Sequence, residues 1–195
     1  EDFLEQARLI LDDMPVAAIK IGLLGSAAIA EVVGQLLTVA PPVPVVLDPI
    51  LAAGGGHPLA GNELLSYLTR SLVPRVDVLT PNTIEARRLT GQTSPDDCAA
   101  ALLASGCRQV LLTGTHEDSH EVVNRWYGPD GCVESRWTRL PGSYHGSGCT
   151  LAATLAGGLA RDLPMAEAVS MALRLTWESL RDGYAVGRGQ LVPRR

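Results

Sequence analysis

Apolar residues change their spacing several times along the chain, and each change predicts an element. Phe3, Ala7, Ile10 and Met14 recur at helical spacing with acids and Gln6 between them, so residues 2–13 read as an amphipathic helix that Pro15 stops. Ala17 to Ile21 is a short apolar run broken by Lys20 and closed by Gly22, the pattern of a buried strand. Ser26 then caps an Ala/Val/Leu-rich helix that runs to about Val39. The order repeats. Val43 to Leu47 is a valine-rich strand ending in Asp48 and Pro49, and a helix follows near residues 60–70. Val76 to Leu79 is again strand-like, Pro81 and Asn82 open a helix that carries Glu85, residues 95–105 form an Ala/Leu helix, and Val110 to Leu112 is the next strand.

Short apolar strands alternating with helices predict a parallel sheet covered on both faces, an α/β sandwich. The last third departs from that rhythm. Val122 to Tyr127 and Cys132 to Trp137 flank Gly128-Pro129-Asp130-Gly131, strong turn chemistry that predicts an antiparallel hairpin at one edge of the sheet. Two long helices, about 147–160 and 164–181, close the chain. No internal repeat or linker interrupts it, since the triplet Gly54 to Gly56 is too short to separate domains.

Composition removes several classes of function. With 46% hydrophobic and 19% charged residues over 195 positions, the chain has enough apolar side chains for a sizeable core, which argues against disorder. A net charge of -5 and the lack of any Lys/Arg run disfavour nucleic acid as a partner. No apolar stretch approaches the length of a membrane span, and the amino end opens on Glu1, Asp2 and Glu5, so a cytoplasmic protein with no membrane partner is expected. Cys98, Cys107, Cys132 and Cys149 form no CxxC pair, which leaves ordinary reduced thiols.

The segment richest in chemistry is Gly142-Ser143-Tyr144-His145-Gly146-Ser147-Gly148-Cys149-Thr150, which runs straight into a helix. The first N–H groups of a helix lack intrahelical partners and the helix dipole favours negative charge there, while Gly146 and Gly148 let the main chain approach an anion. Such a loop can hold a phosphoryl group in transfer; it can also do no more than start a helix. It is no P-loop, because Gly148 is followed by Cys149 and not by the Lys-Ser/Thr pair of that motif. Cys149 falls in the first helical turn, where a thiolate is stabilised and the thiol pKa can drop; the alternative is a small residue that merely packs.

His145 to Thr150, HGSGCT, resembles the HGTGCT signature of hydroxymethylpyrimidine/phosphomethylpyrimidine kinases within the ribokinase-like superfamily. KIGLLGS (Lys20 to Ser26), VVLDPILAAGGG (Val45 to Gly56), LTPNTIEARRLTG (Leu79 to Gly91) and GRGQLVP (Gly187 to Pro193) resemble that family's successive segments in the same order, so the likeness covers essentially the whole chain. It implies a three-layer α/β/α ribokinase-like sandwich, mostly parallel with an antiparallel edge hairpin, forming a single kinase domain over residues 1–195. The opening EDFLEQARLILDDMPVAAIKIG is similar to a stretch inside such kinases, so an amino-terminal part carrying much of the pyrimidine pocket is expected upstream.

The activity implied is ATP-dependent phosphorylation of 4-amino-5-hydroxymethyl-2-methylpyrimidine and then of its monophosphate in thiamine biosynthesis, with ATP and Mg²⁺ as cofactors and a homodimer as the family's common assembly. Carried over by position, Cys149 becomes the base that activates the substrate hydroxyl, and Gly146, Ser147 and Gly148 the anion hole. Asp48 and Glu85, at the carboxyl ends of predicted strands or just beyond, become the acids near Mg²⁺, and Asn82 opens the same helix as Glu85. Taken alone, each is better explained as a helix cap or surface charge. Thr113, Gly114, Thr115 and His116 end another strand, with hydroxyls and amides expected to meet the nucleotide; many family members carry a lysine at the position of Thr113. Arg188, Gly189 and Gln190 are expected to close over the nucleotide side. Lys20 and His145 read more simply as structural. Two other functions stay open: a pyridoxal or pyridoxine kinase, and a non-catalytic pyrimidine-binding module.

Overall fold

The computed structural model describes residues 2–52 and 59–195, so the glycine triplet Gly54 to Gly56 lies outside the described residues. The elements in chain order are α1 (Asp2–Asp13), β1 (Ile19–Ile21), α2 (Ala27–Val39), β2 (Val45–Leu47) and α3 (Asn62–Tyr67). Then come β3 (Val78–Leu79), α4 (Thr83–Thr90), α5 (Pro95–Ala104), β4 (Gln109–Leu112), β5 (Glu121–Gly128) and β6 (Gly131–Thr138). The chain finishes with α6 (Ser147–Leu159), α7 (Met165–Arg181), β7 (Tyr184–Ala185) and β8 (Leu191–Val192). The helix predicted near 60–70 is α3 continued by a π turn over Leu68–Leu72 and a 3₁₀ turn over Val73–Arg75.

Strands β1 to β6 form one sheet in that spatial order, the first four parallel and the last two antiparallel. Parallel pairing starts later in the chain than the apolar runs suggest. Pro44 has no N–H to give the ladder, so it only accepts, from the Ile19 amide, and β2 opens at Val45. The hairpin β5–β6 turns through Pro129 and Asp130, with Gly128 paired to Gly131.

Alternation along the short strands divides the core in two. Val45, Leu47, Leu79, Val110 and Leu112 point to the face covered by α2, α3, α4 and α5. Val46, Val78 and Leu111 point to the face covered by α6 and α7, where Leu151, Leu155, Leu159 and Leu173 meet them. β2 and β3 are therefore apolar on every residue, and β4 from Val110 onward, because each face is buried. Burying one such Leu or Val fully is worth about 2 kcal/mol, which makes both helical layers necessary to a sheet whose strands are this short. The result is the three-layer sandwich. α1 buries none of its residues and packs beside α2, leaving Phe3, Leu9, Ile10 and Met14 exposed.

Parallel strands with helical returns bring the carboxyl ends of β1, β2, β3 and β4 to one edge. Gly22, Asp48, Thr80 to Asn82 and Thr113 leave the sheet there, and α6 starts against the same edge through its contacts with β1 and β2. Chain reversals at this edge expose backbone ends and side chains that no ladder uses, which is why open α/β sheets bind ligands there.

Candidate active site at the carboxyl edge of the sheet

Gly146 is the N-cap of α6 and has φ 89°, a left-handed conformation that a residue with a Cβ adopts only at a cost. As a glycine it brings no side chain to cap the helix. Its carbonyl accepts from the Thr150 amide and hydroxyl at 2.9 and 2.8 Å, but the amides of Ser147, Gly148 and Cys149 find no acceptor among the described residues. Three uncapped N–H groups at the positive end of a helix form a ready anion-binding cradle.

The loop before the cradle is held by the chain's last segment, which forms the small β7–β8 sheet that the sequence reading did not anticipate. His145 donates its amide to Leu191 O at 2.9 Å and Leu191 donates to Ser143 O at 2.8 Å. Gln190 Nε2 donates to Ser143 Oγ and Tyr144 O at 2.8 and 3.2 Å. Arg195 donates to Thr150 Oγ1 at 3.1 Å and reaches Gly146 O at 3.5 Å. Gly189, expected beside the nucleotide, is exposed and a Cβ there would meet nothing; the segment acts on the loop through Gln190 and Leu191.

Asp48 sits in front of this cradle. A Cβ on Gly148 would lie 3.7 Å from its Oδ1, and its side chain faces the Cys149 thiol. The carboxylate is only 4% exposed, and burial raises its pKa while Lys20, at 3.5 Å, pulls it back down. Cys149 is partly buried, open to this cleft and not enclosed in the core. Its thiol does not show the lowered pKa expected at a helix start. Burial pushes it up first, the Asp48 charge adds to that, and Lys20 and Arg195 only oppose. The helix end favours a thiolate, but burial together with a carboxylate in contact outweighs it.

Asn82 and Glu85 form a capping box at the start of α4: Asn82 Oδ1 accepts from the Glu85 amide and Glu85 Oε2 from the Asn82 amide, both at 2.9 Å. Glu85 Oε1 also accepts from Leu51 N at 3.5 Å. Burial, with the Asp48 charge as a further cause, raises Glu85 from 4.5 to about 7 against those bonds. The pair are thus two carboxylates in one cleft that repel each other. That donor chemistry suits Mg²⁺, which takes one or two carboxylates and completes its shell with water and phosphate oxygens. Among the described residues no group of three or more His, Cys, Asp or Glu is arranged to hold a metal ion by itself.

Thr113 and Gly114 lie next to Asn82, joined by an isolated bridge between Asn82 and Thr113. Their amides, expected to be available to phosphate, are already used: Thr113 N donates to Pro81 O at 2.9 Å and Gly114 N to Asn124 Oδ1 at 3.2 Å. Gly114 is a packing glycine, since a Cβ would collide with Val123 O. Thr115 and His116 are exposed here, and Thr113 is half-buried. Arg139 braces the loop through Ser119 O, Thr115 O and Glu117 O, each at 2.8 Å.

Lys20 is the site residue that the reading of the sequence set aside. Ile19 and Ile21 belong to the first core face, so alternation turns Lys20 toward α6, and it pairs in register with Val46. Asp48 is two residues beyond Val46 on the same face, and Gly22 leaves the room into which the lysine reaches forward: a Cβ there would lie 2.6 Å from Nζ. Strand parity, read with Gly22, was the available signal.

The chain matches the family described as phosphomethylpyrimidine kinase over residues 1–193. It is 34% identical to a hydroxymethylpyrimidine/phosphomethylpyrimidine kinase of Haemophilus influenzae, an alignment covering 94% of this chain and 72% of that one. A crystal structure of phosphomethylpyrimidine kinase from Clostridium difficile superposes with a TM-score of 0.76 at 27% identity, covering 90% of this chain and 74% of that one. The pyridoxal kinase from Staphylococcus aureus in complex with AMP-PCP and pyridoxal gives 0.86 at 25% identity, over 98% and 71% of the two chains. No helix among the described residues is long and apolar enough to cross a membrane.

Proposed function

The chain belongs to the phosphomethylpyrimidine kinase family, and we propose that it transfers the γ-phosphoryl group of ATP to the hydroxymethyl group of a pyrimidine and then to the resulting monophosphate, in thiamine biosynthesis. The observation that carries this reading is the convergence of three uncapped amides, at Ser147, Gly148 and Cys149, with a thiol and the Asp48 carboxylate on one sheet edge. Phosphoryl transfer asks little covalent chemistry of a protein; it asks for positioning and for donors aimed where charge spreads. The amides at 147–149 supply those donors, and Gly146 sets their direction by its left-handed turn.

Cys149 takes the proton of the attacking hydroxyl. Its thiol must itself be ionised for that, which its place at the start of α6 favours. Asp48 and Glu85 are the residues that would hold Mg²⁺, directly or through water. There the ion would offset phosphate charge and the Asp48 charge that keeps the thiol protonated. Thr113 and Thr115 present hydroxyls to the nucleotide side, and Gln190 with Leu191 fixes the loop.

Replacing the base tests the assignment. Cys149→Ala lowers kcat for the hydroxymethyl acceptor by roughly 10²- to 10⁴-fold, the usual worth of general base catalysis, and leaves KM for ATP nearly unchanged. A near wild-type kcat would remove Cys149 from the chemistry. Pyridoxal kinase activity is the second reading, favoured by the superposition on the Staphylococcus aureus enzyme. The pyrimidine kinases are the more similar relatives in sequence, so the pyrimidine should win a direct competition between the two acceptors.

A further inference from the structure

Two acceptors of different charge pose different problems at the same spot. A hydroxymethyl group is neutral and must lose a proton as it attacks. A phosphate monoester, with a second pKa near 6, already offers an ionised oxygen at neutral pH but carries close to two negative charges. It brings them beside the buried Asp48 carboxylate, where like charges strongly repel. Something positive must offset this.

Lys20 is placed to do so. Its Nζ stands 3.5 Å from Asp48 Oδ2, longer than the 2.7–2.9 Å typical of a tight charge-assisted bond. That is its one polar contact among the described residues, so most of its N–H groups have no acceptor among them. The side chain is 23% exposed against 5% for Asp48, which puts the ammonium on the open side of the pair. Gly22 provides the space it occupies. The other cation close to the cradle, Arg195, has its guanidinium engaged with Thr150 Oγ1 and Gly146 O.

Building on the kinase reading above, we propose that Lys20 determines the use of the phosphorylated acceptor by pairing its ammonium with that acceptor's own phosphate. In this second transfer an oxygen of the acceptor phosphate bonds to the γ-phosphorus while the bond from that phosphorus to the β–γ bridging oxygen breaks, and ADP leaves with the electron pair. No proton has to move from a dianionic acceptor. Lys20 and Cys149 therefore divide the two acceptors between them: the thiol serves the alcohol and the ammonium serves the phosphate.

The experiment measures kcat/KM for both acceptors in wild type, Lys20→Met, Lys20→Arg, Gly22→Ala and Cys149→Ala. Lys20→Met lowers the value for the monophosphate by roughly 10- to 100-fold, the worth of a hydrogen bond to a charged group, and lowers that for the alcohol by clearly less, so that the ratio of the two shifts against the monophosphate. Lys20→Arg restores most of the loss. Gly22→Ala, which displaces the ammonium without removing it, shifts the ratio in the same direction by less. Cys149→Ala does the reverse, harming the alcohol more. An equal fall for both acceptors in Lys20→Met would assign the lysine a structural role and overturn the proposal while the kinase reading stands. Failure of wild type to phosphorylate either acceptor would defeat the kinase reading, and this inference with it.

Discussion

Two glycine-bearing loops leave the same edge of the sheet and do opposite things with their backbones. At Gly146 the chain turns left-handed, no side chain caps the helix that follows, and three amides are left over. At Gly114 the chain is pressed against β5, and its amide is taken by the buried Asn124. In the first loop glycine creates unsatisfied donors, and in the second it allows a packing contact and the donor is consumed. The two loops are alike in composition, Gly-Ser-Gly-Cys-Thr against Thr-Gly-Thr, so what separates binding from packing is where each N–H goes.

That contrast breaks most visibly at Gly114. Gly114→Ala drives a Cβ into Val123 O, a backbone atom that cannot swing aside, and costs about 3 kcal/mol of unfolding free energy. Protein that remains folded at low temperature keeps its kcat, because no catalytic amide is lost. Denaturant unfolding together with kinetics on the folded fraction checks both halves. Gly146→Ala should do the converse. Its Cβ meets only the flexible end of Arg195, so packing gives way, but the left-handed turn relaxes and re-aims the cradle. A fall in kcat of roughly 10²-fold, as for loss of one oxyanion donor, is expected with a stability loss of only about 1 kcal/mol.

A smaller effect follows from Glu85, whose carboxylate serves a capping box in the same cleft. Its pKa is raised from 4.5 to about 7, so the folded chain holds a proton there that the unfolded chain releases. Its contribution to stability is thus complete below about pH 4.5 and is lost as pH rises through about 7. Glu85→Gln, which keeps an acceptor for the Asn82 amide, removes that loss. Without Mg²⁺ the variant should exceed wild type by about 3 kcal/mol at pH 8 and match it near pH 4, as read by urea unfolding across pH. A constant difference at all pH values would mean that burial does not perturb this carboxylate.

Much of the fold is written openly in the chain. Val45 to Leu47 and Val110 to Leu112 are buried on both sides, so unbroken apolar runs between turns announce parallel strands, and Ser26, Asn82 and Ser94 mark helix starts by the caps they make. The pair β7–β8 was illegible because two-residue strands carry no period, and Tyr184 and Ala185 are exposed. The site divides similarly. HGSGCT displays the cradle, since a glycine-rich entry to a helix has a local meaning. Lys20 was obscured because its role depends on the strand beside it, through the step from Val46 to Asp48, and on the missing Cβ of Gly22. The rise in the Cys149 pKa was hidden for a related reason: a hundred residues of sequence separate the thiol from the Asp48 carboxylate that opposes its ionisation.

The difference between the two loops can be read directly from backbone amide chemical shifts. On titrating the isotopically labelled protein with Mg²⁺ and a non-hydrolysable ATP analogue, the amide protons of Ser147, Gly148 and Cys149 should move strongly downfield as they acquire phosphate acceptors, while that of Gly114, already bonded to Asn124, stays nearly still. Saturable shifts at Thr113 and Gly114 with none at residues 147–149 would contradict the account, because the phosphate would then be held by the wrong loop.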